Sequence, residues 1–175
     1  MEEKLDARLN AYRRDIAAQS LRGLVDAEKY ATGEARQIIS AAAPVRREPR
    51  SNAPLDTEAL YGERVTIYDE SNGWAWGQLE GDRYVGYLPS ECLSSELVEV
   101  THKIAALRTF VYPAADIKAP PLFSVSFGAC VKCTEVSNGF AEIGTGRFIF
   151  ARHIIPVESR ESDYVAVGER FVGTP

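Results

Sequence analysis

The hydrophobic pattern is most regular between Val65 and Pro89, V-T-I-Y-D-E-S-N-G-W-A-W-G-Q-L-E-G-D-R-Y-V-G-Y-L-P. Three strand-like runs are separated by two turn signals, Ser71-Asn72-Gly73 and Glu80-Gly81-Asp82. Asn-Gly enters the positive-φ region at little steric cost, so the first signal predicts a tight hairpin. The stretch as a whole predicts a three-stranded antiparallel meander. A second copy runs from Val131 to His153, V-K-C-T-E-V-S-N-G-F-A-E-I-G-T-G-R-F-I-F-A-R-H. Gly62, Val65, Ser71, Asn72, Gly73 and Ala75 recur 66 residues later as Gly128, Val131, Ser137, Asn138, Gly139 and Ala141, and Phe140 replaces Trp74. A two-residue deletion in the second turn would lower the offset to 64, pairing Arg83 with Arg147, Tyr84 with Phe148 and Val85 with Ile149. On that register His153 aligns with Pro89, and Cys92 with Pro156. A fixed period with its gap in a turn predicts a duplicated module.

Around the meanders the pattern is less regular. Leu5, Leu9, Tyr12 and Ile16 recur at helical spacing, which predicts an N-terminal helix ending near Gly23, with an extended arm as the alternative. Leu24 to Tyr30 and Gln37 to Ala42 read as two strands around Thr32-Gly33. Pro44 and Pro49 flank V-R-R-E, which reads as the entry strand and the start of a long irregular loop, and Arg50 to Asp56, rich in turn formers, supplies that loop. Leu88 to Leu93 predicts a 3₁₀ turn closing the first module, with Ile154-Ile155-Pro156 as its counterpart. His102 to Pro113 opens the second module. Asp163 is a good N-cap for a short helix presenting Tyr164, Val167 and Phe171, which Gly168 weakens. The predicted fold class is all-β: two tandem SH3-like barrels, with a short N-terminal helical or extended segment and a short C-terminal helix. A five-stranded oligonucleotide-binding barrel is the alternative. The predicted segments are an arm at 1–34, a first module at 35–98, a second at 99–158 and a C-terminal piece at 159–175.

Composition narrows the function classes. A module of about 60 residues buries only about 60% of its unfolded surface and is marginal alone, so paired modules and an arm help each other. The chain has 175 residues, and its net charge of −5 argues against a nucleic-acid surface, which needs clustered Lys and Arg. Arg46, Arg47 and Arg50 lie in a Pro-bounded stretch and read as a solvated loop. No apolar run approaches the roughly 18 residues of a membrane span. The start, M-E-E-K-L-D-A-R, is acidic and lacks the apolar region of a signal peptide. The expectation is a cytoplasmic protein, and three cysteines suit a reducing compartment.

Candidate chemistry is sparse. Cys130 and Cys133 form one C-x-x-C, but on a strand those positions face opposite sides, and a tetrahedral metal site needs two further ligands. A structural role is expected for them. His102 and His153 have no evident cysteine partner with an orienting group, so no self-sufficient catalytic set, metal site or cofactor site is expected. Asp56, Glu58 and Glu63 form a carboxylate cluster near the first long loop, which reads most simply as a solvated face, with a ligand-gripping role as the alternative. Trp74, Trp76, Tyr84 and Tyr87 form the aromatic group of the first module. Some of these rings belong to the core and others suit a groove for an extended peptide.

The stretches L-D-A-R-L-N-A-Y-R-R-D-I-A, L-Y-G-E-R-V, G-W-A-W-G-Q-L, Y-V-G-Y-L, T-H-K-I-A-A-L-R-T-F-V-Y-P and F-I-F-A-R-H, in that order, carry a resemblance. The chain resembles the N-terminal half of bacterial NlpC-type cysteine peptidases, the γ-D-glutamyl-L-diamino-acid endopeptidases also described as dipeptidyl-peptidase VI-like. The resemblance implies two bacterial SH3 domains ahead of a papain-like peptidase domain. V-G-E-R-F-V-G-T-P would then be the start of that domain, with the family's nucleophilic Cys and catalytic His absent from this chain. It further implies that the first module gates substrate by reading the free amine of an L-Ala-γ-D-Glu muropeptide stem. Glu63 and Tyr84 would carry that role, with Tyr87 as the alternative tyrosine and Trp76 beside them. The implied partners are a muropeptide or short peptide and a peptidase domain or partner chain, with no nucleic acid and no membrane. A free-standing SH3-like peptide- or protein-binding module is the other reading.

Overall fold

The computed structural model describes residues 5–174, in two compact units that divide between Val98 and Glu99. The strands of the first unit are β1 (Ile16–Ala18), β2 (Lys29–Ala31), β3 (Glu34–Ile38), β4 (Ala42–Arg46), β5 (Leu55–Leu60), β6 (Arg64–Ser71), β7 (Trp74–Leu79), β8 (Val85–Pro89) and β9 (Leu93–Ser94). Seven of them form one sheet, in the order β5-β4-β8-β7-β6-β3-β9. The predicted meander is its centre: β6 pairs with β7 and β7 with β8, both antiparallel. The first turn has Asn72 at φ 51° and Gly73 at φ 79°, the left-handed pair that a two-residue hairpin requires. In the second turn the left-handed residue is Arg83, at φ 68°, not Gly81. The Asp82 carboxylate accepts from the Tyr84 amide there at 3.0 Å.

One face of this sheet is the core. Ile38, Val45, Ala59, Val65, Ala75 and Leu88 are all essentially inaccessible, as the period-2 pattern demands. The ladder stops at β5 and β9, which do not pair with each other, so the SH3-like module is not a closed barrel. The two-residue β9 is too short to carry the sheet round.

The predicted N-terminal helix does not form. The segment makes turns, a Tyr12–Ala17 bridge, β1 and a 3₁₀ turn at Gln19–Leu21. The extended alternative is the one adopted, and β1 pairs in parallel with β2. Side chains supply what helical hydrogen bonds would have satisfied: the Asn10 amide and the Tyr12 hydroxyl donate to the carbonyls of Asp6 and Leu5 at 2.9 and 2.6 Å. Ala11, Ile16, Ala18 and Leu21 pack with Trp76 and Val85 of β7 and β8, with Leu5 and Tyr12 partly buried against them, whereas Leu9 of the helix-like spacing is exposed. This second core lies on the opposite sheet face from Ala75, because neighbouring strand residues point to opposite sides.

The second unit is more fragmented. β10 (His102–Ile104) lies between β13 (Cys130–Val131) and β17 (Ile154–Pro156). β11 (Arg108–Val111) pairs with β12 (Phe123–Ser126), and β14 (Glu135–Ser137), β15 (Phe140–Glu142) and β16 (Phe148–Phe150) form the second meander. Its first turn repeats the first copy, with Asn138 at φ 52° and Gly139 at φ 80°. The short helix α1 (Tyr164–Glu169) forms at the predicted place, and the Asp163 carboxylate accepts from the amides of Val165 and Ala166 at 2.9 and 3.0 Å. Tyr164 is exposed, whereas Phe171 meets Phe127 edge-on, so only part of the predicted face is used.

The register after the second turn corrects the sequence alignment. Trp74 pairs with Pro89 and Ala75 with Leu88, whereas Phe140 pairs with Phe150 and Ala141 with Ile149. The 3₁₀ turns are Ser90–Cys92 and Ala151–His153, so Ile154–Pro156 is a strand and not the closing turn. Leu88 thus corresponds to Ile149 at an offset of 61, and the hairpin lost five residues rather than two. Shortening both arms of a hairpin keeps the cross-strand pairs, a gap that residue matching at the tip does not reveal.

Candidate ligand cleft on the first module

The arm does more than cover Trp76. Together with β7 and β8 it frames a cleft of about 440 Å³ whose lining includes Arg8, Arg13, Arg47, Asp56, Trp76 and Tyr87. Trp76 and Tyr87 are directly cross-strand neighbours, which puts both rings on one face. Trp76 is 3% exposed and forms the floor.

Arg13 ties the arm to the sheet. It donates to the Tyr87 hydroxyl at 2.9 Å, to Asp69 at 2.7 Å and to Asp15 at 2.7 Å, and its guanidinium lies 4.4 Å from the Trp76 ring centre. Burial works against its charge, but the hydrogen bonds it donates to Asp15 and Asp69 outweigh that and hold its pKa well above the usual guanidinium value. Arg13 also draws the Asp15 carboxyl down. Arg8 pairs with Asp6, whose pKa falls to about 2 through that hydrogen bond.

The carboxylate of the cleft is Asp56. Its side chain is only 9% exposed, and one oxygen accepts from Arg47 Nε at 2.7 Å. The other oxygen has no donor among the described residues, and the Tyr87 hydroxyl, having accepted from Arg13, has no acceptor for its own proton. A part-buried carboxylate oxygen beside a free O–H and an indole floor suits a small ligand with a cationic nitrogen next to a carbonyl.

Of the four predicted site residues, Trp76 and Tyr87 line this cleft. Tyr84 is half-buried, packs on the main core, and stands close enough to Arg8 that its phenol adds to the factors raising that guanidinium, after the Asp6 hydrogen bond. Glu63 does not line the cleft. It sits on the turn before β6, where its carboxylate accepts from the Leu60 amide at 2.7 Å, and burial raises its pKa. The sequence favoured a solvated face for the cluster of Asp56, Glu58 and Glu63 over a ligand-gripping role, because nothing in a Pro-rich loop tells which of three nearby carboxylates folds inward.

A larger depression, about 480 Å³, lies by β2, β3 and β6, but its acids are occupied: Glu34 pairs with Arg36 and Asp69 with Arg13. Among the described residues no cluster of His, Cys, Asp and Glu could hold a metal ion. Cys92 is buried, the Cys133 thiol donates to the Glu135 carbonyl and burial pushes its pKa up, and His153 Nδ1 bonds the Thr109 hydroxyl at 2.8 Å. No described helix is long and apolar enough to cross a membrane.

Fold and cleft together define an SH3-like β protein with a ligand-sized hollow under an N-terminal arm. Residues 45–93 match the family model of the bacterial dipeptidyl-peptidase SH3 domain. The chain is similar to the SH3 region of NlpC-type peptidases. Among solved structures, an NlpC/P60 family protein from Bacillus cereus ATCC 10987 aligns with a TM-score of 0.66 at 15% identity, over 81% of this chain and 65% of that one. At that identity the likeness is one of fold, and the chain spans 65% of the length of that protein. NlpC2 and NlpC1 from Trichomonas vaginalis align at 14% identity over 81% and 95% of this chain, and 54% and 55% of theirs, with TM-scores of 0.32 and 0.33, too low to carry an argument. No curated protein matches. The first module is thus similar to a peptidase-associated type of SH3 domain.

Proposed function

We propose that this chain is the non-catalytic, substrate-gating and targeting half of a cell-wall-peptide cysteine peptidase, acting in cytoplasmic muropeptide recycling. In this reading the cleft binds the free amine of an L-Ala-γ-D-Glu stem, and a peptidase domain or partner chain supplies the nucleophile. The observation that carries it is the part-buried Asp56 carboxylate, with one oxygen that no described residue bonds, in the same cleft as the Tyr87 hydroxyl and the Trp76 floor. The match of residues 45–93 to a dipeptidyl-peptidase SH3 domain supports it. Asp56 takes the carboxylate role first expected of Glu63, and Tyr87 that of the tyrosine.

Calorimetric titration of the whole chain with L-Ala-γ-D-Glu tests the reading. A charge-assisted hydrogen bond contributes about 1.5–3 kcal/mol, so N-acetylation of the dipeptide weakens binding by roughly 10- to 100-fold. Asp56→Asn produces a similar loss and Glu63→Gln none. Equal affinity for the acetylated and free peptides would refute amine recognition. The chain alone hydrolyses no peptide in this reading, and turnover that disappears on replacing Cys92, Cys130 or Cys133 would overturn that part.

A further inference from the structure

The three arginines of the cleft differ in how much of each guanidinium is committed. Arg8 grips Asp6 through Nε and Nη2. Arg13 uses Nε, Nη1 and Nη2 on Asp15, Tyr87 and Asp69. Arg47 uses only Nε, on Asp56, and its Nη1 and Nη2 have no partner among the described residues. The Arg47 side chain is 60% exposed and that of Asp56 is 9% exposed, so the couple has a buried anion and an outer cation. Local backbone geometry fixes both. β4 and β5 match Val45 with Thr57 and Arg46 with Leu55, which makes Asp56 the extra residue of a bulge, and a bulge re-aims the side chain it carries. The Arg47 amide donates to the Pro54 carbonyl at 3.3 Å, so its backbone is held at the same bulge.

The fold itself does not need this couple. Val45 matches Val111 and Ala59 matches Val125, each at an offset of 66, so Arg47 and Asp56 correspond to Pro113 and Leu122 of the second unit. Both of those are apolar, and the β11–β12 ladder ends at Val111–Phe123 without a bulge. An ion pair with so exposed a cation also adds little stability. What the couple offers instead is an unbonded carboxylate oxygen and, joined to it through Nε, the planar Nη edge of a guanidinium. That edge matches a carboxylate bidentately. A ligand that satisfies both ends is dipolar, with an ammonium and a carboxylate a short distance apart. In an L-Ala-γ-D-Glu stem the chain continues through the γ-carboxyl, which leaves the D-Glu α-carboxylate free. Two extended residues span about 7 Å, a separation that one Arg–Asp couple can bridge.

We propose that Arg47 is a specificity-determining residue of the cleft: its Nη edge binds the free α-carboxylate of the ligand's D-Glu residue while Asp56 binds the amine. The cleft then takes dipolar peptides and rejects a stem amidated at that carboxyl. The assignment rests on the amine reading of the same site and adds to it a second, anionic point of recognition.

The test is calorimetry of the whole chain with L-Ala-γ-D-Glu capped as its γ-methylamide, so that the α-carboxylate is the probe's only anion. Three further probes carry an α-carboxamide, an N-acetyl group, or both. Converting the α-carboxylate to the carboxamide should weaken binding roughly tenfold or more. In Arg47→Met that penalty should vanish, the double-mutant signature of a direct pair, while the N-acetyl penalty persists. Arg47 is well exposed, so this variant keeps its fold, and the four probes also read the wild type without any substitution. An N-acetyl penalty with no carboxamide penalty would overturn the role of Arg47 and leave amine recognition standing. A carboxamide penalty with no N-acetyl penalty would uphold Arg47 and overturn amine recognition. A carboxamide penalty that survives in Arg47→Met would overturn the assignment to Arg47, and no binding of any probe at millimolar concentration would overturn both readings.

Discussion

The two copies agree on their inner faces and disagree on their outer ones. Ile38 and Ile104, Val45 and Val111, Val65 and Val131, Ala75 and Ala141, and Leu88 and Ile149 are corresponding pairs, each member at most 1% exposed. One position beyond Ala75 the correspondence breaks. Trp76 lies buried beneath the N-terminal arm, whereas Glu142 sits half-exposed on β15. An inner face must fill a fixed space, so it is preserved on duplication. An outer face is free to change, and a covering segment turns it into a second core with a cleft at its border. The cleft of the first module is a consequence of the arm that borders it, not of the module alone.

The largest effect that would break this comparison is at that position. Trp76→Ala empties the space between arm and sheet and should destabilise the first unit by about 3–5 kcal/mol, while Glu142→Ala stays within about 0.5 kcal/mol. Urea unfolding followed by residue-resolved hydrogen exchange separates the units. Comparable losses at both sites would mean that the outer faces are equivalent after all. Next comes Arg13→Met, which leaves Asp69 and the Tyr87 hydroxyl without their donor and should cost on the order of 2–3 kcal/mol. Limited proteolysis should then cut the arm before the sheet, and an arm that stays protected would show that its apolar contacts suffice.

Smaller effects test the likeness. Gly73→Ala and Gly139→Ala place a Cβ at φ 79° and 80° with no steric neighbour, so each should cost about 1 kcal/mol by backbone strain alone, and the same in both units. A twofold difference in those losses would show that the hairpins are not equivalent. The smallest effect is one of pH and belongs to the first unit only. Burial raises the Glu63 pKa above its ordinary 4.5, so the folded state holds this proton more tightly than the unfolded chain. Its contribution to stability therefore falls as pH rises from about that ordinary value towards the raised one, and is level above it. Glu63→Gln should remove this slope, seen as a difference from the wild type in pH-resolved thermal unfolding. Parallel curves for the two proteins would show that the carboxyl is not held protonated by the fold.

By itself the sequence determined the repeating part of this protein. The alternation of apolar residues set which strand faces go inside, Asn-Gly set both hairpin turns, and Asp163 set the start of the only helix described, because each rests on contacts a few residues long. Three matters were decided only in three dimensions. Leu5 to Ile16 had helical spacing, yet packing against Trp76 and Val85 made it an extended arm. The five-residue shortening of the second hairpin became visible through cross-strand pairs such as Phe140–Phe150. Among Asp56, Glu58 and Glu63, only the folded loop brought Asp56 beside Tyr87. Each of these depends on partners tens of residues away, and a local pattern carries no record of which distant surface a segment will meet.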